Sequence, residues 1–185
     1  MSDWYIYAVA VEAFFLRAMR GRLGEPAKRR IAEAGIELGR PLLAAYPADV
    51  FHRAVAIAAE EVRPELSPDE AHRLAGREHL DGFVESYSGR MMLAVARQLE
   101  PRTIVEYTGT FIRLGNNFTE TAARATGPDQ IELWFNEVGG VPGWYRGIIE
   151  RGLELSGVED VDVAHLRGEK DATFRVSWRG RARAR

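Results

Sequence analysis

The sequence predicts an α+β protein: N-terminal helices packed on a C-terminal ββαββ module that carries a four-stranded antiparallel sheet. Three observations predict it. Two strand-turn-strand segments with period-two alternation lie at 118–136 and 161–178, a glycine-bearing helical segment from Pro142 to Ser156 separates them, and the chain before Gly115 carries mostly helical spacing. Residues 1–178 read as a single domain, mainly helical over 1–115 and ββαββ over 116–178, followed by a basic tail at 179–185.

Trp4 to Val11 is apolar, β-branched and aromatic, which suits a short strand. It runs into Glu12–Arg20, where Phe14, Phe15 and Met19 share one helical stripe, and Gly21 and Gly24 break the pattern. Glu25-Pro26 opens the next helix with proline in its first turn, and Gly35 closes it at the position where a left-handed residue is favoured. Gly39-Arg40-Pro41 and Tyr46-Pro47 hold a connector extended, because a residue before proline avoids the α region. Asp49 is the expected N-cap of a helix from Val50 to Val62.

Ser67-Pro68-Asp69-Glu70 combines an N-cap serine, proline at the first helical position and a glutamate three residues after the cap. The helix it opens is expected to reach Leu99 with Gly76, Gly82 and Gly89 inside it. An interior glycine costs about 1 kcal/mol relative to alanine, so these predict either a bend or another backbone packed close. Glu100-Pro101 stops the pattern, and a shorter helix from Arg102 to Leu114 ends at Gly115.

The period then changes. Phe118 to Thr126 is rich in small and β-compatible residues, Gly127-Pro128-Asp129 turns, and Ile131, Leu133 and Phe135 alternate with Glu132, Trp134 and Asn136. Gly143 and Gly147, four apart in the following helix, leave a face with little side-chain bulk that is expected to approach the sheet. Val161, Val163 and His165 alternate along the third strand, and Phe174, Val176 and Trp178 along the fourth, with a turn at Arg167–Asp171.

Composition excludes several chemistries. With no cysteine among 185 residues, disulfides, thiolate nucleophiles, iron–sulfur clusters and cysteine-bearing zinc sites are ruled out. A net charge of −2 argues against nucleic acid as a partner, which needs a clustered basic surface. No apolar run approaches the roughly 20 residues of a membrane helix, so no membrane span is expected. The start Met-Ser-Asp-Trp lacks a signal-peptide pattern, and a cytoplasmic location is the expectation.

The candidate groups each have a structural alternative. His52, His72, His79 and His165 are too dispersed for a metal site, so no metal is expected and surface or capped histidines are the reading, with only His72 and His79 sharing a helix face. Glu78, Asp81 and Glu85 near Arg77 and Arg90 read as a solvated, salt-bridged face, the alternative being acid and base groups in a cleft. Asn116 and Asn117 read as junction residues, since asparagine closes turns on nearby backbone; the alternative is that these amides hydrogen-bond a ligand at the pocket mouth. Asn136-Glu137-Val138-Gly139-Gly140 reads as a tight turn rather than an anion nest, because Glu137 would repel an anion. Tyr87, Tyr107, Trp134, Trp144 and Tyr145 either fill the core or line an apolar cavity with a few polar handles. The arginines at 179, 181, 183 and 185 read as a disordered, solvated terminus, with phosphates or acidic partners as the alternative.

A set of motifs then carries a resemblance: Gly89-Arg90-Met91-Met92-Leu93, Gly115-Asn116-Asn117-Phe118-Thr119-Glu120, Phe135-Asn136-Glu137-Val138-Gly139, Pro142-Gly143-Trp144-Tyr145 and Thr173-Phe174-Arg175-Val176-Ser177-Trp178. Together they resemble a large paralogous myxobacterial family of domains of unknown function, over nearly the whole chain. More distantly, helices followed by ββαββ are similar to the small-molecule-binding fold of vinyl-reductase-type sensor domains, haem nitric-oxide-binding domains and Golgi-tethering subunits. That resemblance implies a pocket between sheet and helices. The sequence lacks the cysteines that sensor members place at a metal, and none of its histidines lies in a motif matching the haem ligand, so no cofactor is expected.

The functional expectation is a non-enzymatic ligand-binding sensor or signalling adaptor, taking an apolar small molecule or a protein partner between helices and sheet. Its expected ligand-binding residues are Tyr87, Arg90, Tyr107, Asn117, Trp134, Asn136, Trp144 and Tyr145, with no catalytic residue assigned. Two alternatives stand beside it: an enzyme acting on a small substrate in the same cleft, and a homodimer or larger homo-oligomer joined through sheet edges.

Overall fold

A computed structural model describes residues 3–180; most of the basic tail expected to be disordered lies outside the described residues. Strand β1 (Tyr5–Tyr7) pairs antiparallel with β2 (Ala45–Pro47), Ile6 facing Tyr46. The expected strand over Trp4–Val11 is thus only three residues long. From Ala8 the chain is helical: α1 (Ala8–Val11) passes directly into a π-helical segment, Glu12–Ala18, closed by the Met19 N–H donating to the Phe14 carbonyl at 2.9 Å. The wider turn buries both Phe14 and Phe15.

Helix α2 (Glu25–Ala34) has proline in its first turn and ends at Gly35, whose φ of 116° is left-handed. Helix α3 (Ala48–Val62) begins two residues earlier than expected, with Pro47 in the capping position; Asp49 caps nothing and instead pairs with Arg53 at 3.0 Å. Proline's fixed φ already sets the chain for helix entry without a side-chain cap.

The helix expected to run from Ser67 to Leu99 is two helices. In α4 (Pro68–Val84), the Ser67 hydroxyl accepts from the Glu70 N–H as the sequence suggests. The chain turns at Glu85, and α5 (Tyr87–Ala96) starts on a second cap, the Ser86 hydroxyl accepting from Gly89 N–H at 2.9 Å. A Cβ at Gly89 would lie 2.0 Å from the Phe83 carbonyl oxygen, so the new helix folds back against the end of the old one only because residue 89 is glycine. Similarly, the expected helix from Arg102 to Leu114 divides at Tyr107 into α6 (Pro101–Glu106) and α7 (Thr108–Ile112).

The second half is a four-stranded antiparallel sheet made of β3 (Thr121–Gly127), β4 (Gln130–Phe135), β5 (Asp162–Arg167) and β6 (Ala172–Ser177), in the order β3-β4-β6-β5, with α8 (Pro142–Leu155) between the hairpins. The register sets Ile131 opposite Val176 and Leu133 opposite Phe174, all four fully buried. These side chains, with Phe135, Tyr145 and Leu153, belong to one continuous core that also includes Phe14, Phe51 and Ile31 of the helical half.

The glycine face of α8 meets α4, not the sheet. A Cβ at Gly143 would lie 2.3 Å from the Asp69 carbonyl oxygen and one at Gly147 1.9 Å from that of Arg73. Gly76 answers from the other side, where a Cβ would lie 2.0 Å from the Trp144 carbonyl oxygen, and one at Gly82 would lie 2.3 Å from that of Ala13. The helix pair α4 and α8 therefore crosses at near backbone contact, and α8 turns its larger side chains, Tyr145 and Ile149 among them, into the core. Among the described residues no helix is long and apolar enough to cross a membrane.

Candidate functional site

The close crossing of α4 and α8 leaves a gap beside it. Helices α4 through α8 line a half-open pocket with about 90 Å³ of free volume, bordered on the remaining side by Ile6 of β1 and Ala10 of α1. Its walls are almost wholly apolar: Phe83 from α4, Met92 from α5, Ile104 from α6, Phe111 from α7 and Ile148 from α8 are representative. The cavity lies among helices, whereas the resemblance implied a pocket between helices and sheet.

Two polar side chains line this apolar space and lack partners. Trp144, at the start of α8, has its indole Nε1 buried with no hydrogen-bond partner among the described residues, and the same holds for Nδ1 of His79 on α4. Their rings are adjacent, with centroids 4.9 Å apart at 65°. Gly76, one turn before His79, sets this spacing by admitting the Trp144 backbone against α4. Phe14 and Phe51 hold the imidazole from other sides, at 5.9 and 6.4 Å. Burial lowers the His79 pKa to about 3, so the ring is neutral at physiological pH.

Burial also corrects the expectation of surface histidines. His52, His72 and His79 are all buried; only His165 is not. Small neighbours cause this, because Ala71, Ala75 and Gly76 let α3 and α8 approach α4 closely enough to cover the rings. Burial lowers the His52 pKa to about 4, partly offset by Asp49, and lowers that of His72. His52 Nε2 lies 3.4 Å from the Tyr145 hydroxyl, and burial raises the pKa of that phenol. His52 and His72 border a separate, more polar groove at the surface with Trp4, Glu137 and Gly139. No group of three side chains able to hold a metal occurs among the described residues.

The expected site residues do not converge. Trp144 lines the cavity; Tyr145 points elsewhere, packing on Phe135 at 5.4 Å. Trp134 alternates away from the buried face of β4, and its Nε1 donates to Asp171 Oδ2 at 3.4 Å. Tyr87 and Tyr107 are exposed, at 73% and 52%, and the exposed Arg90 donates to the Glu85 carbonyl. Asn117 ties β1 to the helix–sheet junction, accepting from the Tyr5 N–H and donating to the Asp3 carbonyl. Asn136 clamps the segment 118–120 in the same way. Asn116, buried at the cavity edge, accepts from the Phe118 and Thr119 N–H groups.

The turn after β4 is closed by Glu137 itself, whose carboxylate accepts from Gly139 N–H at 2.6 Å. Along α4, Glu78 pairs with Arg63 and Arg22, Asp81 with Arg151, and Arg77 with Glu154 and the buried Glu150, while Glu85 stays exposed. This is a salt-bridged helix interface, remote in chemistry from the apolar cavity. His79 and the apolar walls were absent from the expected site. The spacing Gly76, His79, Leu80, Phe83 on one helical face was the available signal, since it pairs a close-approach glycine with a histidine on an otherwise apolar stripe.

A family model described as "Protein of unknown function (DUF2378)" matches residues 5–179. The chain belongs to that family. No curated protein sequence matches this DUF2378 chain. Among solved structures, it is similar to an oxygen-binding H-NOX domain related to soluble guanylate cyclases, with a TM-score of 0.68 at 15% identity over 95% of this chain and 96% of that one. A point mutant of the T. tengcongensis H-NOX domain superposes with a TM-score of 0.65 at 17% identity, covering 94% and 96% of the two chains. An unliganded Fe(II) H-NOX mutant from K. algicida gives 0.67 at 10% identity, covering 95% and 97%. At these identities the likeness establishes the fold, in agreement with the distant resemblance read from the sequence.

Two further similar structures, at 15% identity, concern distortion of a bound haem or porphyrin, one of them in the H-NOX family. The cavity of the DUF2378 chain does not fit that group. Its free volume of about 90 Å³ is well below the roughly 300–1,000 Å³ of drug-sized ligand sites. No lysine or arginine occurs among the described lining residues to meet the two carboxylates of a haem. The one imidazole at the cavity is wedged between the rings of Phe14, Phe51 and Trp144.

Proposed function

We propose that this DUF2378 chain is a non-enzymatic ligand-binding sensor or signalling adaptor that takes an apolar small molecule into the cavity bounded by α4 through α8. The observation that carries this reading is the pocket itself: an apolar recess beside Trp144 lined almost wholly by hydrocarbon side chains. Lining chemistry favours binding over the enzyme alternative. His79 is the single titratable side chain among the described lining residues, and acid–base catalysis there would need a second. Native mass spectrometry of the protein purified without added ligand, followed by denaturing extraction, tests the proposal. The expected result is a stoichiometric apolar adduct that disappears in Trp144→Asp. A bare mass, together with no thermal stabilisation by small hydrocarbons, would overturn it.

A protein partner is the second reading, and one observation favours it. Tyr87, Met91 and Val95 are exposed at successive turns of α5, whose other face supplies Met92, Leu93 and Ala96 to the cavity. One helix thus borders both the chamber and an apolar surface stripe.

A further inference from the structure

Helix α5 forms one wall of the pocket, and its burial pattern is that of a helix held at its ends. Only two of its 10 residues are buried, Gly89 in the first turn and Ala96 at the last position. Neither has a side chain larger than a methyl group, so α5 drives almost no hydrocarbon into the core. Met92 and Leu93, between these two, are half-buried, and both line the pocket. On the outer side Tyr87, Met91 and Val95 are exposed, so here a single helix stands between the pocket and solvent.

This pattern makes α5 weakly held. A helix this short is marginal in water by itself and owes its stability to packing an apolar face. Helix α8 packs such a face with Trp144, Tyr145, Ile149 and Leu153, and α5 has no counterpart to them. Gly89 lowers its helix propensity further. The contacts that fix α5 sit at its two ends. At the start, the Ser86 hydroxyl accepts from the Gly89 N–H at 2.9 Å, and Gly89 lies close against the Phe83 carbonyl. Just past the last residue, the Arg97 guanidinium donates to the Leu155 carbonyl at 3.1 Å. Segments with few buried apolar contacts open at a lower free energy than the core, and binding-site lids are drawn from them.

Resting on the pocket reading above, we propose that α5 is the gate of the pocket: the helix unfolds locally to admit a small apolar ligand and refolds with Met92 and Leu93 against it. The ligand supplies the apolar contact that the helix otherwise lacks, so binding favours the helical form. Tyr87, Met91 and Val95 share a face only while α5 is helical. A filled pocket therefore presents that exposed stripe more persistently than an empty one.

Residue-resolved amide hydrogen exchange on the full wild-type chain tests this, with cyclopentane as the probe and its Kd taken from a chemical-shift titration. Without the probe, the N–H groups of Met92 to Ala96 should exchange at least about a hundredfold faster, relative to their intrinsic rates, than those of Ile148 and Ile149 in α8. Cyclopentane at ten times its Kd should slow the α5 groups about tenfold, because only the closed form holds it. If α5 exchanged as slowly as α8, it would open only with the whole molecule, and the gate would be overturned with the pocket reading intact. Slowing of α8 without slowing of α5 would also overturn the gate, since α5 would then open without releasing the ligand. If cyclopentane shifted no resonance of the pocket-lining residues, the pocket reading itself would fall, and the gate with it.

Discussion

Gly147→Ala probes the contact that positions the cavity. A methyl group there would lie 1.9 Å from the Arg73 carbonyl oxygen, against an ordinary non-bonded separation of about 3.5 Å, so α4 and α8 must part by about 1.5 Å. Alanine's helix propensity returns about 1 kcal/mol. Overpacking of this kind costs about 1–3 kcal/mol, and here the obstacle is backbone that cannot rotate away, so the upper end applies. The net loss should be about 2 kcal/mol, or roughly 4–8 °C in Tm for a chain of this length. Gly152→Ala on the same helix is the control: its methyl meets only Leu80 Cδ2, at 3.4 Å, so alanine there should be neutral or stabilising by up to about 1 kcal/mol. Urea denaturation of both variants measures the difference. If Gly147→Ala were as stable as Gly152→Ala, the crossing would not be held at backbone contact, and the argument for how Trp144 and His79 are set beside each other would fail.

Two further outcomes follow from the burial pattern. Folding lowers the pKa values of His79 to about 3 and His52 to about 4, so between these values and the ordinary 6.5 the unfolded chain binds more protons and stability must fall as pH drops. Each histidine contributes up to about 1.4 kcal/mol per pH unit in that window, and His79→Phe should reduce the slope by one proton; an unchanged slope would refute the assignment. Asn116→Ala strips the acceptor from the buried Phe118 and Thr119 N–H groups and should cost about 2–4 kcal/mol by denaturant titration, whereas Asn117→Ala, at an exposed site, should cost about 1 kcal/mol or less. Equal losses would show that burial does not govern these two amides.

Much of the fold was legible locally. Ile131, Leu133 and Phe135, like Phe174 and Val176, bury every second residue, and that alternation survives in any half-covered sheet. Ser67-Pro68 and Gly35 mark helix ends through their own backbone chemistry. Ser86 was harder to read: its hydroxyl ends one helix by starting another, and the hydrophobic period runs on across the break. The glycines of α4 and α8 announced a close approach without naming the partner, since a missing side chain is compatible with any neighbour.

By itself the sequence determined the helix-then-ββαββ order, the antiparallel hairpins and the family motifs, because periodicity, caps and turn residues act within a few positions of one another. The tertiary structure alone decided that α8 packs its glycines on α4, that three histidines are buried, and that residues from Ile6 to Ser156 line one apolar pocket. Those outcomes depend on which surfaces meet once conformational entropy has been overcome, and residues far apart along the chain carry no local sign of that meeting.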